Sequence, residues 1–397
     1  MNNLLKGSFE FWSPTEGQMP EHFKEAPDIV GLCSSKPYCF GKWVSRVEIE
    51  SGTYTASVEC NSESPYNSGH VYAMVNWLDK DGKYLRREYL TPTGASEWFR
   101  VECTASSPTS AAYMEIELTL ASPGEVRWKN ASIVKAEAVT PRPVKIASAF
   151  FTPRRNLAQN LETMLSLCDK AGPVDVLLFT ESAYDRGVSP IEAKCIPVPS
   201  QSPDDPLGQL GAKARLHNCN ILVNVTENDG GFFFNTTVII GRDGNFIGKY
   251  RKSHLPTVEK EVGFSPGNEL PVFDLDFARI GILTCFDIVF PQAARTLRSK
   301  GAELIFLPTI GNFMLQSQMT AKYNGIHVVV SGGDLPHPSR IIDPNGNIVS
   351  SVDGTEDGVA FAEIDLASGF YSPATGFFPA SSNAGNALHY QHRHELY

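Results

Sequence analysis

The sequence predicts a chain of two parts: an all-β sandwich followed by a layered α/β domain. Three observations carry this expectation. The chain has 397 residues, about twice a usual single domain. All five tryptophans (Trp12, Trp43, Trp77, Trp98 and Trp128) fall in the first third. The spacing of apolar residues also changes near residue 140, from a period of two to apolar strands alternating with amphipathic helices.

In the first part, residues 52–60, 71–78 and 112–120 alternate as half-buried strands do, and Asp79-Lys80-Asp81-Gly82 reads as a turn. Asp, Gly, Pro and Ser punctuate these runs, and no stretch has helical spacing. Residues 1–138 are therefore expected to form a β-sandwich. Residues 139–143 contain two prolines and read as a short stiff linker. Beyond it, residues 144–151 form a strand. Residues 156–171 form a helix with Leu157, Leu161, Met164, Leu165 and Cys168 on one face. Apolar strands follow at 174–179, 220–226, 236–241, 280–284 and 304–307, with helices at 206–217 and 291–300. Strands this uniformly apolar are buried on both faces, as in layered α/β folds. The α/β domain is expected over 144–366, with a C-terminal tail over 367–397.

Composition narrows the function. The chain is 42% hydrophobic and 20% charged, enough apolar material for packed cores. Its net charge is −10, shared equally: 13 basic and 18 acidic residues to position 140, then 21 and 26. No basic cluster exists to bind phosphates, which argues against nucleic acid as a partner. No apolar run approaches the roughly 18–20 residues that span a bilayer, and no membrane partner is expected. The eight cysteines are scattered without a Cys-x-x-Cys pair, so neither a zinc knuckle nor a disulfide scaffold is expected. Buried thiols and the lack of an apolar N-terminal leader make the cytoplasm the expected compartment.

Three segments of the second part carry chemistry. Glu181 follows the apolar strand at 174–179; Lys252 lies in Tyr250-Arg251-Lys252-Ser253-His254-Leu255; and Cys285 ends a second apolar strand in Cys285-Phe286-Asp287, before Phe290-Pro291. Catalytic groups of α/β folds collect at the carboxyl ends of strands. A thiol there, beside a carboxylate base and an ammonium, has the ingredients of an activated nucleophile. Taken singly, each has a plainer reading. Such a cysteine is more often a core residue, such a glutamate caps a turn, and such a lysine is a solvated charge. Their combination is what points to catalysis. His254 offers a Cys–His alternative. Cys168, Cys195 and Cys219 are expected to pack in the core. His389, His392 and His394 in the tail have no acidic or cysteine companion nearby, so a solvated or subunit-contacting tail is expected rather than a metal site.

The three motifs, in this order and spacing, resemble the nitrilase superfamily of carbon–nitrogen hydrolases. Residues 234–244, 265–269 and 301–308 match that family as well, and the resemblance spans about 144–366. It implies a four-layer α-β-β-α sandwich, with Glu181 as general base, Lys252 as oxyanion-stabilising cation and Cys285 as nucleophile. By the same resemblance, Glu259 or Glu261 positions the lysine and the backbone N–H of Phe286 completes an oxyanion hole. It also implies a small-molecule amide or carbamoyl substrate, no cofactor or metal, and a homo-oligomer of two or more subunits; the aromatic tail, poor in any helical or strand period, is expected either to dock on a neighbouring subunit or to fold back onto its own domain. Cys285-Phe286-Asp287 looks closer to the amidase and carbamoylase branches than to nitrile hydrolysers. Three positions depart from the family pattern: Thr180 before the base, Gln292 after Phe-Pro, and Lys322-Tyr323-Asn324-Gly325. The first part resembles, in texture, jelly-roll modules of the galactose-binding, carbohydrate-binding class. Such modules stack sugars on exposed aromatics, so Trp12, Trp43, Trp77 and Trp98 form either a sugar platform, making carbohydrate a partner, or part of the core, where tryptophan usually lies.

Overall fold

The computed structural model describes residues 2–5, 8–62, 66, 70–93, 96–199, 202–333, 338–352, 356–369, 371–372 and 381–383. The chain divides into two compact units, Met1–Thr140 with Gly369–Tyr397, and Pro141–Ser368.

The first unit holds two sheets. One runs in the order Glu10–Trp12, Gly41–Glu48, Tyr113–Leu120, Val71–Leu78, Tyr84–Tyr89, Ser381–Asn383 and Tyr371–Ser372. The other runs Glu21–Ala26, Ile29–Ser34, Gly124–Ala136, Thr53–Ser62, Phe99–Ser106 and Thr91–Pro92. Alternation explains how they join. Trp43, Trp77 and Ile116 of the first sheet share one core with Tyr54, Val58 and Trp128 of the second. Residues between them point the other way, such as Glu115 and Glu117, which are paired with Arg46 and Lys42.

Of the tryptophans left between platform and core, Trp43 and Trp77 are core residues: they lie on the inward positions of their strands and are 4% and 0% exposed. Trp12 and Trp98 reach the surface, each with a lysine ammonium over its ring, Lys42 at 4.9 Å and Lys129 at 4.0 Å from the ring centres. The tail, which shows no strand period in the sequence, contributes two strands. Tyr371–Ser372 pairs with Ser381–Asn383, which runs parallel to Tyr84–Tyr89. The Tyr371 hydroxyl donates to Glu88 Oε1 at 2.8 Å, and the Arg86 guanidinium lies over its ring. Strands this short hold too few residues to show a period. Phe370, Phe377, Phe378, His389, His392 and His394 lie outside the described residues.

The second unit is built from two six-stranded sheets. The first runs Phe246–Arg251, Phe232–Ile240, Asn220–Asp229, Val176–Leu178, Pro143–Phe150 and Gly358–Asp365. The second runs Val272–Asp274, Arg279–Ile282, Leu304–Thr309, His327–Gly332, Arg340–Ile342 and Ile348–Ser351. Residues one apart serve different layers. Ile146, Val176 and Leu178 pack with Ile280, Ile282 and Phe306 between the two sheets. Ala147 and Leu177 face Met164, Leu167, Leu207 and Leu210 of the helices Leu157–Ala171 and Pro206–His217. On the far side, Ile305 and Val328 meet Leu297 and Ala321 of the helices Pro291–Ser299 and Met314–Asn324. The result is four layers, α-β-β-α, and it explains why these strands are apolar throughout.

Local chemistry starts two of the helices. The Asn156 side chain accepts from Gln159 N, and Asp205 accepts from Gly208 N with Pro206 in the first turn. The helix Met314–Asn324 buries Ser317, Thr320, Ala321 and Asn324. Its inner face is small and polar, so hydrophobic spacing does not announce it. Among the described residues, no helix is long and apolar enough to cross a membrane.

Candidate active site

Three strands of the second unit end where the chemistry-bearing residues begin. Lys252 directly follows Phe246–Arg251, Glu181 lies three residues past Val176–Leu178, and Cys285 three past Arg279–Ile282. The first two strands belong to one sheet and the third to the other, so the site spans the two-sheet core. Cys285 has φ +48°, in the left-handed region, and opens the 3-10 turn Cys285–Val289. A non-glycine residue there is strained by about 1–3 kcal/mol, and such strain concentrates at functional turns. Thr180, one of the departures noted above, donates its hydroxyl to Thr309 O at 2.9 Å, a bond that proline lacks the hydroxyl to make.

The side chains meet out of water. Lys252 is 0% exposed, Glu181 2% and Cys285 8%. Lys252 Nζ donates to Glu181 Oε1 at 2.9 Å and to Glu259 Oε1 at 2.5 Å. Glu181 is also held by Asn235 Nδ2 on Oε1 at 2.9 Å and by the Ile310 backbone N–H on Oε2 at 3.2 Å. Asn235 is fixed in turn by Asn224, whose amide oxygen also receives Ser182 N–H. Burial alone pulls the Lys252 pKa down, but Glu181, Cys285 and Glu259 together outweigh it and raise it, so the ammonium is permanent. Burial pushes the Glu259 carboxyl up, with Lys252 opposing. Burial likewise pushes the Cys285 thiol up to about 12; the hydrogen-bonded Glu181 carboxylate adds to the rise and Lys252 opposes it. At neutral pH the site therefore holds a thiol beside a carboxylate that can take its proton, with a fixed cation next to both.

The structure brings Glu181, Lys252, Cys285 and Glu259 together, with Phe286 next to the thiol on the same turn. It does not bring Glu261, which is exposed at the end of the short helix Thr257–Glu261. His254 turns to Asp287, its Nδ1 lying 2.8 Å from Asp287 Oδ1. Cys168 and Cys219 sit in the core beneath the helices. Cys195 does not pack in the core as expected: it is half-buried, its sulfur accepting from Asn228 Nδ2, in a loop whose Ile196 bridges Glu227 near the end of the strand Asn220–Asp229. Sequence reasoning missed Asn224, Asn235 and Ile310. Both asparagines interrupt apolar strands, and a polar residue buried in such a run was the available signal. Among the described residues, no group of three His, Cys, Asp or Glu side chains is arranged to hold a metal.

Comparison with known proteins agrees with this architecture. The carbon–nitrogen hydrolase family model matches residues 145–369. The chain is 37% identical over 166 residues to a nitrilase of Pyrococcus abyssi, covering 38% of this chain and 62% of that protein. It is 32% identical over 178 residues to the N-carbamoylputrescine amidase of Arabidopsis thaliana, covering 37% and 60%. The chain thus spans less than two thirds of the length of these curated relatives. Among solved structures, Saccharomyces cerevisiae Nit3, of the nitrilase superfamily, superposes with a TM-score of 0.52 at 21% identity over 58% of this chain and 93% of its own, a likeness of fold. With the family match covering more than half of its length, on a four-layer unit, the chain belongs to the carbon–nitrogen hydrolase family, the enzymes of the nitrilase superfamily.

Proposed function

We propose that the chain hydrolyses a non-peptide carbon–nitrogen bond, in an amide or N-carbamoyl small molecule, through a thioester on Cys285. The observation that carries this reading is the buried Lys252 ammonium 2.9 Å from Glu181, beside a thiol on a left-handed turn. With substrate bound, Glu181 takes the thiol proton and the sulfur attacks the carbonyl carbon. The raised thiol pKa makes that transfer part of the reaction rather than a resting condition. Negative charge moves to the carbonyl oxygen, where Lys252 and the Phe286 N–H stabilise it. The C–N bond breaks, and the leaving nitrogen takes the proton from Glu181. Water then gives a proton to Glu181 and attacks the thioester carbon; the C–S bond breaks and the sulfur recovers the proton. Glu259 fixes the lysine. Similarity to an N-carbamoylputrescine amidase supports a carbamoyl or amide substrate.

The test is a panel of amides, N-carbamoyl amines and nitriles assayed for released ammonia, with and without an added amine acceptor. Ammonia from amides or N-carbamoyl amines, together with an acyl adduct on the peptide holding Cys285, is expected. Turnover of nitriles alone, or product formed only with the amine acceptor, would replace hydrolysis of amides by nitrile hydrolysis or acyl transfer. Turnover by Cys285→Ala within about tenfold of the parent would remove the nucleophile.

A further inference from the structure

We infer that Asp287 is a positioning residue that ties the lysine segment to the cysteine turn, and that this one carboxylate sets the spacing between Lys252 and Cys285. The inference rests on the proposed roles of those two residues. Asp287 is fully buried, and both of its oxygens are saturated. Oδ2 accepts from Tyr250 OH at 2.7 Å and from Thr284 N–H at 2.9 Å. Oδ1 accepts from His254 N–H at 2.9 Å and faces His254 Nδ1 at 2.8 Å. Two oxygens offer about four lone-pair sites, and here four partners fill them.

The sequence positions of those partners matter more than their number. Tyr250 and His254 stand two residues before and two after Lys252, so the carboxylate grips the lysine segment on both sides. Thr284 immediately precedes Cys285, so the same carboxylate grips the strained turn. Asp287 belongs to that turn, and the Tyr250 hydroxyl that donates to it also accepts from Ser253 N–H within the lysine segment at 3.2 Å. The clamp is braced from outside: the His254 ring stacks on Phe290 with centres 4.2 Å apart. Burial, with Asp287 adding to it, raises the Tyr250 phenol well above its usual range, which keeps it a donor. Asp287, an acceptor, makes Nδ1 the protonated nitrogen of His254 and so fixes its tautomer.

The experiment reads the thiol directly, as the rate of iodoacetamide alkylation of Cys285 by peptide mass spectrometry, alongside kcat and KM. Asp287→Asn presents an amide N–H₂ to donors and breaks at least two of the four contacts. It is expected to lower kcat about a hundredfold, with KM within about threefold, and to change the alkylation rate of Cys285 at least about tenfold. Tyr250→Phe removes one contact and is expected to lower kcat about tenfold; it carries the test if Asp287→Asn fails to fold. Because both act through one node, the double variant should be no slower than Asp287→Asn alone. Unchanged alkylation with unchanged kcat in a folded Asp287→Asn, unchanged kcat and alkylation in Tyr250→Phe, or additive losses in the double variant would each overturn the inference. Alkylation needs no turnover, so the clamp is judged even if Cys285→Ala were to refute the thioester.

Discussion

Replacing Lys252 by Met tests the site's electrostatics, because it keeps the shape of the side chain and deletes only its charge. In the structure the ammonium is fully buried and pairs with both Glu181 and Glu259. Removing one member of a buried pair leaves an uncompensated charge, at a cost of about 3–5 kcal/mol. Here two carboxylates lose their common cation, so the upper part of that range applies. For a unit of this size a loss of about 4–5 kcal/mol corresponds to a fall in Tm of roughly 8–20 °C. The pH dependence follows from Glu259. Its carboxyl is already pushed up by burial, and without Lys252 it rises further. A carboxyl raised in the folded state leaves stability intact below its unfolded pKa, near 4.5, and withdraws it as pH rises through the folded value. The deficit of Lys252→Met should therefore be small at pH 4.5 and grow toward pH 7. Adding Glu259→Gln removes one of the stranded charges and should return about 1–3 kcal/mol at pH 7. Calorimetry of the parent, the single and the double variant at several pH values is the assay. A single variant as stable as the parent at pH 7, or a double variant less stable than the single, would refute the buried ion-pair argument. On the proposed mechanism, turnover should fall about 10²–10³-fold in both, since the oxyanion would lose its cation.

Three further predictions concern other parts of the molecule. With the Cys285 thiol pushed up to about 12, its alkylation should keep accelerating from pH 7 to about pH 10; a plateau below about pH 8 would mean that Lys252 outweighs burial and Glu181. Tyr371→Phe deletes the hydroxyl on buried Glu88 and should destabilise the first unit by about 1–3 kcal/mol, and truncation after Leu366 should do so by more. Because every tryptophan lies in that unit, fluorescence reports its unfolding separately, and an unchanged midpoint in the truncated chain would show that the tail strands contribute nothing. We also expect a homo-oligomer of two or more subunits; light scattering at micromolar concentration that returns the mass of one chain would refute this.

The boundary near residue 140, the period-two strands, the buried apolar strands and the trio Glu181, Lys252 and Cys285 were all legible in the sequence. They were legible because each depends on neighbours along the chain: alternation, an apolar run, or a motif of a few consecutive residues. The four layers came from family resemblance and not from spacing, since an apolar run says only that both faces are buried. Tertiary structure alone decided that Ile146 faces the second sheet and Ala147 the helices. It selected Glu259 over Glu261, because the phase of one short helical turn sends the two carboxylates in different directions. It placed Asn235 and Ile310 on Glu181, and Tyr250 and His254 on Asp287, contacts that bring together residues dozens of positions apart in the chain. It moved Trp43 and Trp77 inward, since a strand's alternation cannot say which face the core will take until the second sheet packs on it. It also joined the tail to the first unit through strands too short to carry a period. Local pattern thus determined which residues were available to the site, and long-range packing determined their distances, which is where the chemistry lies.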